Sequence, residues 1–223
     1  MEFVLPFFAV LVGAGIALVI NDHKSSTIRL LLSFSGSFLL AMSLFSLLPE
    51  VYEHMNAKKT GVLIMCGILL QIILEFFSKG AEHGHMHFSK SQHRFPFVLF
   101  ISLALHSFLE GFPIHHHDSM LYGVLIHKIP IAILLTSYFL KTKLSRLKIT
   151  MFIMLFALMT PLGAWSSAVL PLEPETIYAT NALVIGIFLH ISTTIIFESG
   201  DGHSFNLSKL IAIVAGIAVA YFI

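Results

Sequence analysis

Apolar residues fall along the chain in eight runs, separated by polar or turn-forming breaks such as Asn21-Asp22-His23-Lys24 and Pro171-Leu172-Glu173-Pro174. The runs cover 3–20, 30–49, 61–77, 97–114, 120–140, 149–170, 179–198 and 207–223. Each is close to the roughly 20 residues an α-helix needs to cross about 30 Å of hydrocarbon. No stretch between them could hold a separate soluble domain. The expected fold is therefore all-α, a single transmembrane domain over 1–223 with eight membrane-spanning helices and a His-containing loop over 78–96.

Composition identifies the solvent. Apolar residues make up 57% of the chain and charged ones 11%, and mean hydropathy is +0.89, leaving too little polar surface to cover a soluble globule. The expectation is a multi-pass protein of the cell (inner) membrane. Its 21 Phe and 14 Gly suit closely packed membrane helices. Cys66 is the single cysteine, cannot form an internal disulfide and is expected to fill core. The first run starts next to Glu2, with no basic n-region or small-residue cleavage site, and reads as a retained span rather than a removed signal peptide. A net charge of +1 carries no partner information, and no nucleic-acid partner is expected.

Charge does orient the spans. Lys24, Arg29, Lys79, Lys90, Arg94, Lys141, Lys143, Arg146, Lys148 and Lys209 lie in or beside the odd-numbered connections, against only Lys58 and Lys59 in the even ones. Positive residues stay cytoplasmic. Both termini and the His115-His116-His117-Asp118 turn are then expected outside, and the loop 78–96 inside.

Candidate chemistry sits in spans four and five, as His106-Ser107-Phe108-Leu109-Glu110-Gly111 and His127-Lys128-Ile129-Pro130. Ionisable groups at bilayer depth cost kilocalories unless they face a partner, an ion or water. His106 and Glu110 are four residues apart and share one helical face. At 1.5 Å per residue they stand about 13 and 20 Å above the inner end of span four, and His127 about 17 Å above that of span five. Two imidazoles and a carboxylate at one depth suit zinc, and iron, manganese, cobalt or cadmium by the same chemistry. Pro113 and Pro130 cannot bond to the carbonyls of Leu109 and Ile126, so each is expected to free a backbone oxygen beside a ligand; simple kinks for packing are the alternative.

These motifs make the chain resemble the ZIP (Zrt/Irt-like) family of divalent-metal transporters, over nearly its whole length. Weaker supports are Ser35-Gly36 followed by Leu47-Leu48-Pro49-Glu50, Thr160-Pro161-Leu162-Gly163-Ala164, and Gly186-Ile187-Phe188-Leu189. The resemblance implies eight spans with both termini outside, a homodimer, and sliding of spans one, four, five and six against the others. It also implies two adjacent metals, but Ser107, Lys128, Ile131 and Thr160 stand where many members carry the second-site ligands. A single-ion site of His106, Glu110 and His127 is then expected, with the Lys128 ammonium in place of the second ion. Snorkelling of Lys128 toward the headgroups is the alternative.

Other candidates carry weaker signals. His190, halfway along span seven, is a candidate fourth ligand or a residue satisfied by Ser192, Thr193 or Thr194. His83, His85 and His87 have the alternating pattern of a metal-chelating loop, and His115, His116 and His117 could collect ions at the outer mouth; each group also reads as ordinary solvated loop. Met42 reads as core, and Glu50, Glu53, Glu198 and Asp201 as solvated charge. The expected function is import of a divalent cation, as substrate rather than cofactor, by alternating access. The alternatives are an intramembrane metal hydrolase or a non-transporting metal sensor. An enzyme is not expected, because no His-Glu-x-x-His and no spare carboxylate base accompany the trio.

Overall fold

The structure, a computed structural model, describes residues 1–19, 25–78, 80–81, 94–198 and 207–223. Among them it is all helix: α1 (Leu5–Val19), α2 (Ser25–Met42), α3 (Leu48–His54), α4 (Ala57–Ser78), α5 (Phe97–Gly111), α6 (Asp118–Leu140), α7 (Arg146–Val169), α8 (Pro174–Glu198) and α9 (Leu207–Tyr221). A π-helical turn over Ser43–Leu47 joins α2 to α3, and a 3-10 turn over Phe112–His115 follows α5. Six helical rods are long and apolar enough to cross a membrane, while α1 and α9 are apolar but shorter, at 15 residues each.

Two prolines explain where the structure departs from the apolar runs. Pro49 has no N–H for the carbonyl of Phe45, and the chain widens into the π turn just before it. The rod expected over 30–49 therefore continues to His54 as α2 and α3 end to end. Pro113 likewise cannot serve the Leu109 carbonyl, but the chain tightens instead, and the Phe112 N–H donates to that oxygen. The Leu109 carbonyl is thus satisfied, contrary to the sequence expectation. α6 runs through Pro130 without interruption.

The most extensive helix pairs are α1 with α6, α5 with α7, α2 with α9 and α4 with α8. α1 also packs on α7, and α2 on α8, so the helices form two sets of four, joined mainly where α2 meets α6 and α4 meets α5. Glycine sets the closest approaches, and these lie inside the sets. A Cβ on Gly163 would sit 1.9 Å from the Phe108 carbonyl oxygen, and one on Gly67 would sit 1.9 Å from that of Leu183. At the face between sets, a Cβ on Gly123 would meet Leu39 at an ordinary 3.4 Å. Small residues let membrane helices approach to backbone contact, so each set is internally tight, while across the face between them the Ser102 hydroxyl of α5 donates to the Leu74 carbonyl of α4.

The outer surface is apolar, as a lipid solvent requires. Val62, Met65, Leu69, Ile72 and Phe76 of α4 all face outward. Cys66 lies exposed on the same helix rather than in the core where the sequence placed it. Met42 is buried among Phe38, Leu39, Ile114, Met120 and Val124.

Candidate metal centre

α5 presents His106, Ser107 and Glu110 on one face because these positions recur at helical spacing, and all three are buried. α6 brings His127 and Lys128 to the same place, each 1% exposed. One ligand atom from each of His106, Glu110 and His127 lies within 4.8 Å of the others. The two imidazoles meet edge to face, 6.4 Å between centroids.

The two oxygens of Glu110 have different environments. Oε1 takes the Lys128 ammonium in a direct ion pair and lies 2.9 Å from Thr160 Oγ1. Oε2 stands 3.2 Å from His106 Nε2 and accepts no aligned hydrogen bond. His106 Nδ1 is also without a hydrogen-bond partner among the described residues. Buried polar atoms are ordinarily paired, so an open carboxylate oxygen 3.2 Å from one nitrogen of a His106 ring whose other nitrogen is unpaired matches the donor set of a borderline cation. Tetrahedral ligands at zinc bond lengths lie roughly 3.3 Å apart. The His106–Glu110 spacing already matches that, and a His127 ligand atom lies within 4.8 Å of both.

Lys128 does not snorkel. Its ammonium donates to Ser107 Oγ at 2.6 Å and sits 4.5 Å above the centre of the Phe156 ring, a cation–π contact. Thr160 Oγ1 also lies 3.0 Å from the Ser107 carbonyl oxygen. Three of the four positions at which the resemblance put a second ion therefore form one network: Lys128 and the Thr160 hydroxyl contact Oε1 of Glu110, and the Ser107 hydroxyl accepts from Lys128. The fourth, Ile131, is buried in an apolar cluster with Val10, Ala14 and Leu135. Sequence reading missed Phe156, although it lies one turn before Thr160 on the same face of α7.

The remaining candidates lie apart from the trio. His190 Nε2 is 2.6 Å from Glu75 Oε2, pairing α8 with α4, while Thr193 and Thr194 donate to the His190 backbone carbonyl. Glu75 went unremarked in the sequence, although a lone carboxylate inside an apolar run is itself a signal. His83, His85 and His87 lie outside the described residues.

At the turn after α5, His115 Nδ1 lies 2.8 Å from Glu2. His117 Nε2 lies 2.9 Å from Glu50 and 3.4 Å from Asn181 Nδ2. Glu50 is thus a partner of the turn rather than a solvated charge. Burial pushes the His117 imidazole below its usual pKa against the opposing pull of Glu50. Burial and then the neighbouring rings lower His116. A folded pKa below the unfolded value contributes stability above about pH 6.5 that is lost as pH falls through the folded pKa. Acidifying from pH 7 to 5 should therefore lower Tm more in the parent than in His116→Gln/His117→Gln, by about 1–3 °C. Parallel Tm–pH curves would contradict this.

Neither a protein-family model nor a curated protein sequence matches the chain.

Proposed function

We infer that this chain is a divalent-cation carrier of the kind its ZIP-like motifs imply, importing zinc, or iron, manganese, cobalt or cadmium, through one site between α5 and α6. The observation that carries this reading is the buried His106, Glu110 and His127 cluster inside an apolar helical bundle. In this reading α1 and α9 complete eight spans, with both termini outside, and two copies associate.

Charge balance favours a carrier over a fixed-metal enzyme. With both imidazoles neutral, as ligands must be, Glu110 and Lys128 cancel and the empty site is neutral. A divalent ion then brings a charge of +2 beside an ammonium. Repulsion at low dielectric weakens binding, which suits an ion that must leave again and ill suits a structural or catalytic metal. Glu110 would hold the ion through Oε2 alone, because Oε1 is held by Lys128 and Thr160.

The two helix sets supply the moving parts. His106, Glu110, His127 and Lys128 all belong to the set of α1, α5, α6 and α7, so that set can carry the ion past α2, α4, α8 and α9 without changing the ligands. A crevice of about 660 Å³ lies between α4, α5 and α8, bordered by Lys59, Glu173 and Glu175 and reaching Phe108 and Phe112. Glu175 is paired with Lys59, so Glu173 would draw cations to its mouth, and Phe108 and Phe112 would separate it from the trio.

Uptake into proteoliposomes enclosing a zinc-sensitive dye tests the proposal. Parent vesicles should fill faster than protein-free ones and saturate with external zinc, and His127→Ala should fall to the protein-free rate. A parent that binds zinc but fills no faster than empty vesicles would overturn the carrier reading in favour of a sensor or an enzyme.

A further inference from the structure

A second cavity lies away from the metal centre, among α1, α6 and α7, with a volume of about 370 Å³. Leu11 and Leu18 of α1 and Ile153 of α7 form apolar walls, Arg146 stands at one end, and Thr136 of α6 lines the interior. Thr136 is 3% exposed, and its hydroxyl has no hydrogen-bond partner among the described residues. A threonine inside a helix ordinarily satisfies its hydroxyl on a carbonyl of the preceding turn, as Thr193 does here. Thr136 does not, and it lines open space. Gly15 lines the same space, and a Cβ built on it would meet nothing within 4 Å.

Charge identifies one end of the occupant. Lys141, Lys143, Arg146 and Lys148 crowd the connection between α6 and α7, and no Asp or Glu occurs from 119 to 172. Arg146 also opens α7, where the helix dipole favours an anion. Depth identifies the other end: Ile153 lies seven residues into α7, about 10 Å deeper than Arg146. Thr136 lies one turn before the end of α6 at Leu140, about 6 Å in. The occupant is thus anionic at the surface, accepts a hydrogen bond just below it, and is apolar beyond.

The geometry points to a binding site for one anionic glycerophospholipid of the leaflet that faces Arg146. The guanidinium pairs with the lipid phosphate in the bidentate manner that geometry allows. The Thr136 hydroxyl donates to a glycerol ester carbonyl, and one acyl chain runs between Leu11, Leu18 and Ile153. Basic pockets between membrane helices on the cytoplasmic side hold acidic headgroups in this way. The site is independent of the carrier reading, because it needs neither the trio nor any ion movement.

Native mass spectrometry of the full, delipidated protein tests it with an equimolar mixture of phosphatidylglycerol and phosphatidylcholine bearing identical acyl chains. The parent should retain one phosphatidylglycerol per chain in at least about tenfold preference, equivalent to ~1.4 kcal/mol. Arg146→Gln should remove the preference between headgroups. Gly15→Phe, whose Cβ has open space around it, should abolish retention of both lipids while leaving Tm in lipid-free detergent within about 2 °C. Equal retention of the two lipids by the parent overturns the proposal. So does undiminished phosphatidylglycerol binding by Gly15→Phe, which would assign the effect to general attraction by surface lysines. Glycerol 3-phosphate binding as tightly as the lipid would also overturn it, because the acyl chain would then contribute nothing.

Discussion

Glu110→Gln is expected to abolish metal uptake and destabilise the protein together, and adding Lys128→Met is expected to restore the stability alone. Glutamine keeps the shape of the side chain and can still accept from Thr160, but it removes the charge that balances Lys128. A buried ammonium without its carboxylate costs about 3–5 kcal/mol when one member of the pair is removed. The ring of Phe156 and the Ser107 hydroxyl offset only part of that. Methionine at 128 removes the stranded charge with similar volume, and replacing both members of a buried pair by neutral groups is often close to neutral for stability. The double variant should therefore recover most of the lost Tm. It should not recover zinc uptake, because the anionic ligand between His106 and His127 is still missing. Denaturation and uptake measured on the same preparations check both halves. Uptake by the double variant at the parent rate would show that Glu110 has a structural role only.

Lys128→Met alone should act in the opposite direction on the ion. Without metal, the variant carries an uncompensated buried carboxylate and should lose about 3–5 kcal/mol of stability. A divalent cation then supplies the missing positive charge, so binding should tighten at least about tenfold, or ~1.4 kcal/mol. Zinc should raise Tm far more than in the parent, because a ligand that binds only the folded state stabilises in proportion to its affinity. Release should slow accordingly, so that maximal uptake falls while half-saturation moves to lower zinc. Titration calorimetry with zinc checks the first effect, and uptake kinetics the second. Unchanged affinity would mean that the ammonium does not oppose the ion.

Much of this was readable in the residues, for physical reasons that can be traced one by one. His106 and Glu110 share a helix, so their spacing alone predicts a common face. Their approach to His127 follows from span direction and rise per residue, which hold wherever two helices run antiparallel at similar length. The direction of Lys128 could not be read, because a long side chain two turns into a span can reach either headgroups or a buried anion. Only the packing of Phe156 and Thr160 decides between them, and it depends on how α7 is rotated against α5 and α6. The pairs His190–Glu75 and His117–Glu50 escaped for the same reason, since each joins elements whose relative placement no local pattern records. Prolines misled in a more specific way. Pro113 and Pro49 each lack one N–H, yet one chain tightened to 3-10 and the other widened to π. Loss of a donor predicts a local disturbance but not its hand.

Zinc-edge X-ray absorption on the protein loaded with a slight excess of zinc and desalted tests the central claim most directly. The account predicts one ion per chain, with imidazole scattering from two rings and light N/O ligands at about 2.0–2.1 Å, lost together in Glu110→Gln/Lys128→Met. Two ions per chain, a first shell without imidazole, or an unchanged spectrum in the double variant would contradict a single site built from His106, Glu110 and His127.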